Sequence, residues 1–285
     1  MKIFLFDLMK NISKSAGFLL IFVRISCTMK KTYVGRGLLL GEIVAVLSGK
    51  GGTGKTSTCS GIATALASQG RRVLCIDCDV GLRNLDISLG MSESAALSFL
   101  DVSSGAYPVE MAPCHPLYPS LSFLTAPMNF PIERIGVEDF AAFLRQIRGQ
   151  FDYIFLDAPA GVDAGFRLVT APADRCIVVT GPGPAAIRDA ARVGELLELA
   201  GKKGPRLVVN RVSKSMLSAL RMTVDDVMDT AGLPLIGVVL EDPSVTLAAA
   251  FGRSIHDYSP KSEAAKCFRR IAKRLQGIPE PIRLR

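Results

Sequence analysis

Histidine is scarce in this 285-residue chain: His115 and His256 are the whole supply. Two imidazoles leave no material for a histidine metal cluster and make a histidine-driven nucleophile triad a poor reading. Long apolar runs are also lacking. Near the amino terminus Ala16 to Val23 is apolar, but Arg24 ends it after eight residues, where a membrane-spanning helix needs about 20. No small-residue cleavage site of a secretory signal stands before Met29. Internal repeats and low-complexity linkers are absent. Seven cysteines at 27, 59, 75, 78, 114, 176 and 267 make no disulfide framework in a chain of this length. Several sit inside apolar runs, as in Val73-Leu74-Cys75-Ile76, and read as small buried hydrophobes of a reducing compartment. Cys75 and Cys78 spell C-x-x-C, but the first falls within a strand pattern and the second beside acids, so they are read the same way.

The composition, 49% hydrophobic and 21% charged, is that of a soluble globular protein. Of 34 basic and 26 acidic residues, positions 1–40 carry seven and one, and positions 261–285 carry eight and two. The intervening body therefore holds 19 basic and 23 acidic residues and is mildly acidic. Nucleic-acid binders spread Lys and Arg over a face of the fold, whereas basic ends suit solvated tails or an anionic membrane surface. Positions 1–40 read as an extension, with translation beginning near Met29 as the first expectation and a weak interfacial anchor as the second. One domain is expected from 41 to 276, followed by a tail at 277–285.

From residue 42 onward strand-like runs alternate with helical patterns. The strand candidates are 43–47, 73–76, 121–124, 153–156, 176–179, 207–209 and 235–239, nearly continuous in apolar residues, as strands covered on both faces are. Helices are expected over 56–69, 137–148, 185–200 and 223–231. This alternation predicts an α/β fold: a doubly wound, mostly parallel sheet with helices on both faces and right-handed crossovers.

The strand ending at Ser48 runs into Gly49-Lys50-Gly51-Gly52-Thr53-Gly54-Lys55-Thr56 and then directly into a helix. That is the G-x-x-x-x-G-K-[ST] phosphate loop in its required setting. Glycines let consecutive N–H groups turn inward around phosphate oxygens, and the following helix adds the positive end of its dipole. Lys55 is expected on the β- and γ-phosphates, Thr56 on Mg²⁺, and the loop from Gly49 through Ser57 around the nucleotide. A nucleoside triphosphatase also needs acids for the cation and the attacking water. Two segments supply them at strand ends: Asp77-Cys78-Asp79 and, after four apolar residues, Asp157. Asp86 lies farther from its strand and is read as structural or solvated.

Lys50, directly after the first glycine, is a second lysine that an ordinary phosphate loop does not need. In this it resembles the deviant Walker A ATPases: the MinD, ParA, flagellar FlhG, nitrogenase iron protein and arsenite-pump families. The resemblance implies an ATP-sandwich homodimer in which Lys50 reaches the partner's nucleotide. Asp77-Cys78-Asp79-Val80-Gly81-Leu82-Arg83-Asn84-Leu85-Asp86 looks like the switch I segment of the MinD family, and Asp157-Ala158-Pro159-Ala160-Gly161 like its switch II. Further likeness runs through 181–189 and 238–245, so it covers most of 42–276. Carried over, Asp79 orients the attacking water, Asp77 and Asp157 support Mg²⁺, and Lys50, Lys55 and Asp79 form the catalytic set. Asn210 and Arg211 fall where the wider class contacts adenine, and Asp242 falls in the loop closing that pocket.

The resemblance further implies an ATP-hydrolysing switch for division-site placement, with a MinE- or MinC-like partner. Its location would be cytoplasmic and peripheral on the inner face of the cell membrane. An FlhG-like flagellar placement regulator and a ParA-like DNA-partitioning ATPase remain open, though the acidic body disfavours DNA. A non-hydrolysing scaffold is disfavoured by Lys55 and Asp79. The chain departs from the family at its end. MinD proteins close on a short amphipathic membrane-targeting helix after a spacer, whereas here only 276–285, broken by prolines, follow the last helix. That helix, expected to open at Ser259-Pro260, carries an apolar stripe of Ala264, Cys267, Phe268, Ile271, Ala272 and Leu275 among basic residues. It is either the last core helix or a basic, membrane-facing one.

Overall fold

A computed structural model describes residues 40–282, apart from Gly81, Leu82, Ala95 and Asn129. The readings made for the leader and for Cys27 lie outside the described residues. Gly41 anchors the start of the fold: its N–H donates to the Arg148 carbonyl at 3.1 Å, and its carbonyl accepts from the Arg148 guanidinium at 2.8 Å.

Seven strands follow: β1 Glu42–Leu47, β2 Val73–Asp77, β3 Leu121–Leu124, β4 Tyr153–Asp157, β5 Arg175–Thr180, β6 Arg206–Val212 and β7 Leu235–Leu240. They form a single sheet in the order β3-β2-β4-β1-β5-β6-β7, parallel throughout. The apolar continuity of the strands has its reason in the two cores. Ile43, Ala45 and Leu47 of β1 enter one core, and Val44 and Val46 enter the other. Both parities must therefore be apolar.

Eleven α-helices are described. The main ones are α1 Lys55–Ala67, α4 Val137–Ile147, α6 Pro184–Leu199, α8 Val224–Ala231 and α11 Glu263–Leu275, each within a few residues of its expected span. The shorter α2 Leu85–Leu89, α3 Phe99–Ser103, α5 Ala164–Thr170, α7 Lys214–Leu220, α9 Pro243–Ala250 and α10 Ile255–Tyr258 had not been expected. Caps define several of them: Ser98 on α3 and Thr223 on α8 form capping boxes with the acid three residues on.

The last helix opens later than expected, at Glu263, because the Ser262 hydroxyl rather than Ser259 accepts the first-turn N–H, from Ala265. Its whole apolar stripe is buried against α1 and β7. This is a core helix, and its apolar face is not available to a membrane. No helix among the described residues is long and apolar enough to cross one.

Cys75 and Cys78 are buried, and no cluster of three or more His, Cys, Asp or Glu side chains is gathered among the described residues. The loop before β3 lies partly inside the fold. His115 is buried, its ring centroid lies 4.8 Å from that of Tyr118 at a 39° tilt, and its Nδ1 accepts the N–H groups of Leu117 and Tyr118.

The second histidine ties three helices. His256 on α10 places Nε2 2.9 Å from the Gly61 carbonyl of α1 and Nδ1 3.2 Å from the Arg269 guanidinium of α11. A carbonyl on one side and a guanidinium on the other fix the neutral tautomer with the proton on Nε2. Burial, reinforced by the charge of Arg269, pushes the imidazole down to about 4. A depressed histidine contributes stability that is complete above its unfolded value near 6.5 and is lost as pH falls through about 4. That window is worth roughly 3 kcal/mol. Urea midpoints measured from pH 7 to pH 4 should fall, and His256→Gln should flatten the slope. An unchanged slope in the variant would remove His256 as the cause.

Candidate nucleotide site

The sheet order sets the site. The chain leaves β1, lays down β2 and β3 on one side, returns through β4 between β2 and β1, and then builds outward through β5. The loop after β1 therefore lies beside the ends of β4 and β2. In register, Val46 pairs with Asp157, and Asp157 with Asp77. The two acids predicted from separate segments are neighbours at the carboxyl edge of the sheet, where ligands of open α/β sheets bind.

Main-chain bonds lace the loops of this edge together. Gly161 donates to the Ser48 carbonyl at 3.1 Å, Ala158 to Val46 at 3.2 Å, and Cys78 to Asp157 at 2.9 Å. Gly52 and Gly54 take φ values of 80° and 86°, which reserve these positions for glycine. Gly49 passes so close to Asp189 in the second turn of α6 that a β-carbon there would stand 2.7 Å from its backbone.

Lys55, 7% exposed, donates from Nζ to Asp157 Oδ1 at 2.8 Å, and Asp157 is 1% exposed. Burial pushes Asp157 up toward its neutral form, and Lys55 and the Thr56 hydroxyl oppose it. Burial also works against the Lys55 charge, but Asp157 outweighs it and holds the ammonium charged.

Asp77 is differently occupied. Its Oδ1 accepts the Asp79 N–H at 2.9 Å and its Oδ2 the Leu85 N–H at 3.2 Å, so it staples both ends of the 79–85 segment. Burial first, and then the neighbouring Asp157 charge, push Asp77 up to about 7. Arg83, with φ 44°, ties the same segment to the residue just after β3 by donating Nε to Thr125 Oγ1 at 2.8 Å. Lys50 is exposed at the rim, and its carbonyl accepts the Ser48 hydroxyl at 3.1 Å.

The remaining expected positions divide. Asn210 is buried and turned onto the phosphate loop, donating Nδ2 to the Thr53 carbonyl at 2.8 Å. Arg211 is exposed with φ 56°. Asp242 caps α9 through Ser244 at 2.9 Å and reaches Ala264 at the start of α11 at 3.1 Å. Burial pushes its carboxyl up, but those N–H groups outweigh it and hold it below its ordinary value. Asp86 begins α2, half-buried, its carboxylate accepting the Ile87 N–H. The stapling by Asp77 was not expected; a carboxylate at a strand end followed by a turn is the signal that could have shown it.

Two observations test whether this edge suits a phosphate chain. Thr53 Oγ1 is buried with no partner, and β-carbons built on Gly51 and Gly52 would meet nothing closer than 4.0 Å. An unspent hydroxyl beside open space, with the buried Lys55 ammonium close by, fits an anionic ligand.

The CobQ/CobB/MinD/ParA nucleotide binding domain matches residues 44–255. The septum site-determining protein MinD of Synechocystis sp. is 37% identical over 244 residues, covering 85% of this chain and 92% of that protein. The MinC:MinD cell division protein complex of Aquifex aeolicus superposes with a TM-score of 0.78 at 34% identity, covering 85% and 98% of the two chains. MinD of Pyrococcus horikoshii complexed with Mg-ADP superposes at 0.72 and 27% identity, covering 83% and 96%. With the phosphate loop, the paired acids and the parallel sheet already in place, the chain belongs to the MinD family of nucleotide-binding ATPases, whose named members determine the septum site.

Proposed function

We propose that the protein is an ATP- and Mg²⁺-dependent dimerisation switch for division-site placement, monomeric with ADP and dimeric with ATP. The observation that carries this reading is the convergence of a buried Lys55–Asp157 pair, the Asp77–Asp79 segment and an exposed second lysine at one edge of the sheet. Gly49 to Ser57 hold the phosphates, and Lys55 exchanges Asp157 for phosphate oxygens as its counter-charge. Thr56 and Asp157, supported by Asp77, would hold Mg²⁺, which neutralises phosphate charge that develops during transfer. Asp79 orients the attacking water, and Lys50, exposed at the rim, reaches across to the nucleotide of a second copy. Arg211 and Asp242 flank the base.

A MinC-like protein is a proposed partner, supported by the Aquifex complex of MinC with MinD, and a MinE-like one is proposed from the family resemblance alone. The protein works in the cytoplasm and, as an ATP dimer, peripherally on the inner face of the cell membrane. To an anionic surface α11 can offer only its charged side, because its apolar stripe is consumed in the core. The flagellar and DNA-partitioning readings give way to the septum-site names of the relatives.

Sedimentation velocity with ATP, with ADP and with neither, for the wild type and for Asp79→Ala and Lys50→Ala, tests the switch. The wild type should dimerise with ATP alone, Asp79→Ala should accumulate as dimer, and Lys50→Ala should stay monomeric. Equal dimer with ADP and ATP would overturn the reading. Adding vesicles of anionic lipid to the same samples tests the peripheral step.

A further inference from the structure

We infer that Asn210 is a positioning residue for the phosphate loop, aimed there by a defect built into β6, and acts on the phosphates rather than on the base. The inference rests on the phosphate-cradle reading above. Three observations converge on it. First, β6 and β7 lose register between Val209 and Val212, and Arg211 inside that interval takes φ 56°. A non-glycine residue in the left-handed region is uncommon, and β-bulges re-aim side chains beside functional sites. Second, Asn210, carried by that irregularity, is 5% exposed and spans 157 residues of sequence to donate Nδ2 to the Thr53 carbonyl at 2.8 Å. A carbonyl can only accept, so the amide group must present its nitrogen there. Third, Gly54, the next residue, has φ 86°, and a β-carbon on it would stand 2.0 Å from the same Nδ2. Loop and strut are fitted to each other: the glycine makes room for the amide, and the amide fixes the peptide between Thr53 and Gly54.

The consequence is chemical. With the Thr53 carbonyl held by Asn210, the Gly54 N–H on the same peptide plane has its direction set before any ligand arrives. Preorganised donors of this kind lower the cost of binding, because the loop need not be ordered at that moment. The effect acts on any ligand with a phosphate chain, whatever its base. An adenine-reading Asn210 would act on the base alone.

The test uses the full chain and Asn210→Asp, which keeps the shape and removes the donor, beside Asn210→Leu, which removes both polar atoms. Affinities for ATP, GTP and base-free tripolyphosphate are measured with Mg²⁺, and amide hydrogen exchange over residues 49–56 is followed without ligand. Both variants should bind tripolyphosphate and ATP more weakly by the same factor, about tenfold for loss of one buried hydrogen bond. The ATP-to-GTP ratio should not move, and exchange over 49–56 should quicken while the thermal midpoint holds. Tripolyphosphate affinity that survives while ATP affinity falls would overturn the inference and make Asn210 a base reader. Unaltered exchange over 49–56 would overturn it too. If the wild type bound neither ATP nor tripolyphosphate while the exchange difference persisted, the phosphate-cradle reading would fall and the strut would stand.

Discussion

Lys55→Met should abolish measurable ATPase activity and weaken nucleotide binding by two to three orders of magnitude. The ammonium is buried at 7% exposure and is the counter-charge that Asp157 faces at 2.8 Å. Removing one member of a buried charge pair costs about 2–5 kcal/mol in binding, which corresponds to roughly thirtyfold to several thousandfold. The same substitution leaves Asp157 fully buried with its counter-ion gone. An uncompensated buried charge of this kind costs about 3–5 kcal/mol of stability, unless the group takes up a proton instead.

The signs follow from the direction of the shift. Asp157 is already pushed above its ordinary value by burial, and loss of Lys55 pushes it further. A carboxyl whose folded value is raised binds more protons folded than unfolded, so the penalty shrinks as pH falls toward the unfolded value near 3.9. Lys55→Met should therefore show a larger stability deficit at pH 8 than at pH 5, read by urea midpoints. Lys55→Met with Asp157→Asn should recover much of that deficit at pH 8 and none of the activity. A deficit independent of pH, or no recovery in the double variant, would mean that Asp157 is not the group left stranded. Asp77, raised to about 7 by burial and the Asp157 charge and opposed by Lys55, is pushed up further in Lys55→Met and adds to the same pH dependence.

That pair also shows what the sequence made legible. Lys55 and Asp157 were readable separately, one from the glycine spacing of its loop and the other from four apolar residues before an acid at a strand end. Their contact was not, because 102 residues lie between them and only the return of β4 between β2 and β1 brings them together. The sheet itself was readable because strands covered on both faces cannot hide: each of the seven is a run of apolar residues. The short helices were not. α2 and α3 have five residues each and α10 has four, too few to display a helical period, so their caps and packing define them.

The site was least legible where one residue does another's work. Asp77 looks like a cation ligand and is spent, in this structure, on two main-chain N–H groups. Asn210, expected at the base, donates to the Thr53 carbonyl of the phosphate loop. Asp242, expected in the loop closing the base pocket, also serves as the N-cap of α9. The last could have been read, since an acid followed by proline is a helix-start signature. The bulge that turns Asn210 inward leaves no sequence pattern at all.

Gly61 and Phe268 carry the second large effect, and it includes a reversal of sign. Gly61 lies in the interior of α1, where Gly→Ala ordinarily stabilises a helix by about 0.5–1 kcal/mol. Here a β-carbon would stand 2.4–2.7 Å from three ring atoms of Phe268. That ring, on α11, is 1% exposed among close-packed neighbours and has nowhere to go. Gly61→Ala should therefore destabilise by about 1–3 kcal/mol, the usual cost of overpacking. Phe268→Ala should cost about 3–5 kcal/mol, through lost burial and the cavity left between α1 and α11. For a chain of this size that lowers the thermal midpoint by roughly 10 °C. In the Phe268→Ala background the space opens, so Gly61→Ala should change sign and stabilise, recovering helix propensity and filling part of the cavity. The double-mutant cycle would then show strong coupling, as for residues in direct contact. Additive effects would mean that the α1–α11 contact is not the tight one described. Because α1 begins at the phosphate loop, nucleotide affinity measured in the same series also reads whether looser packing at Gly61 reaches Lys55, six residues away along the helix.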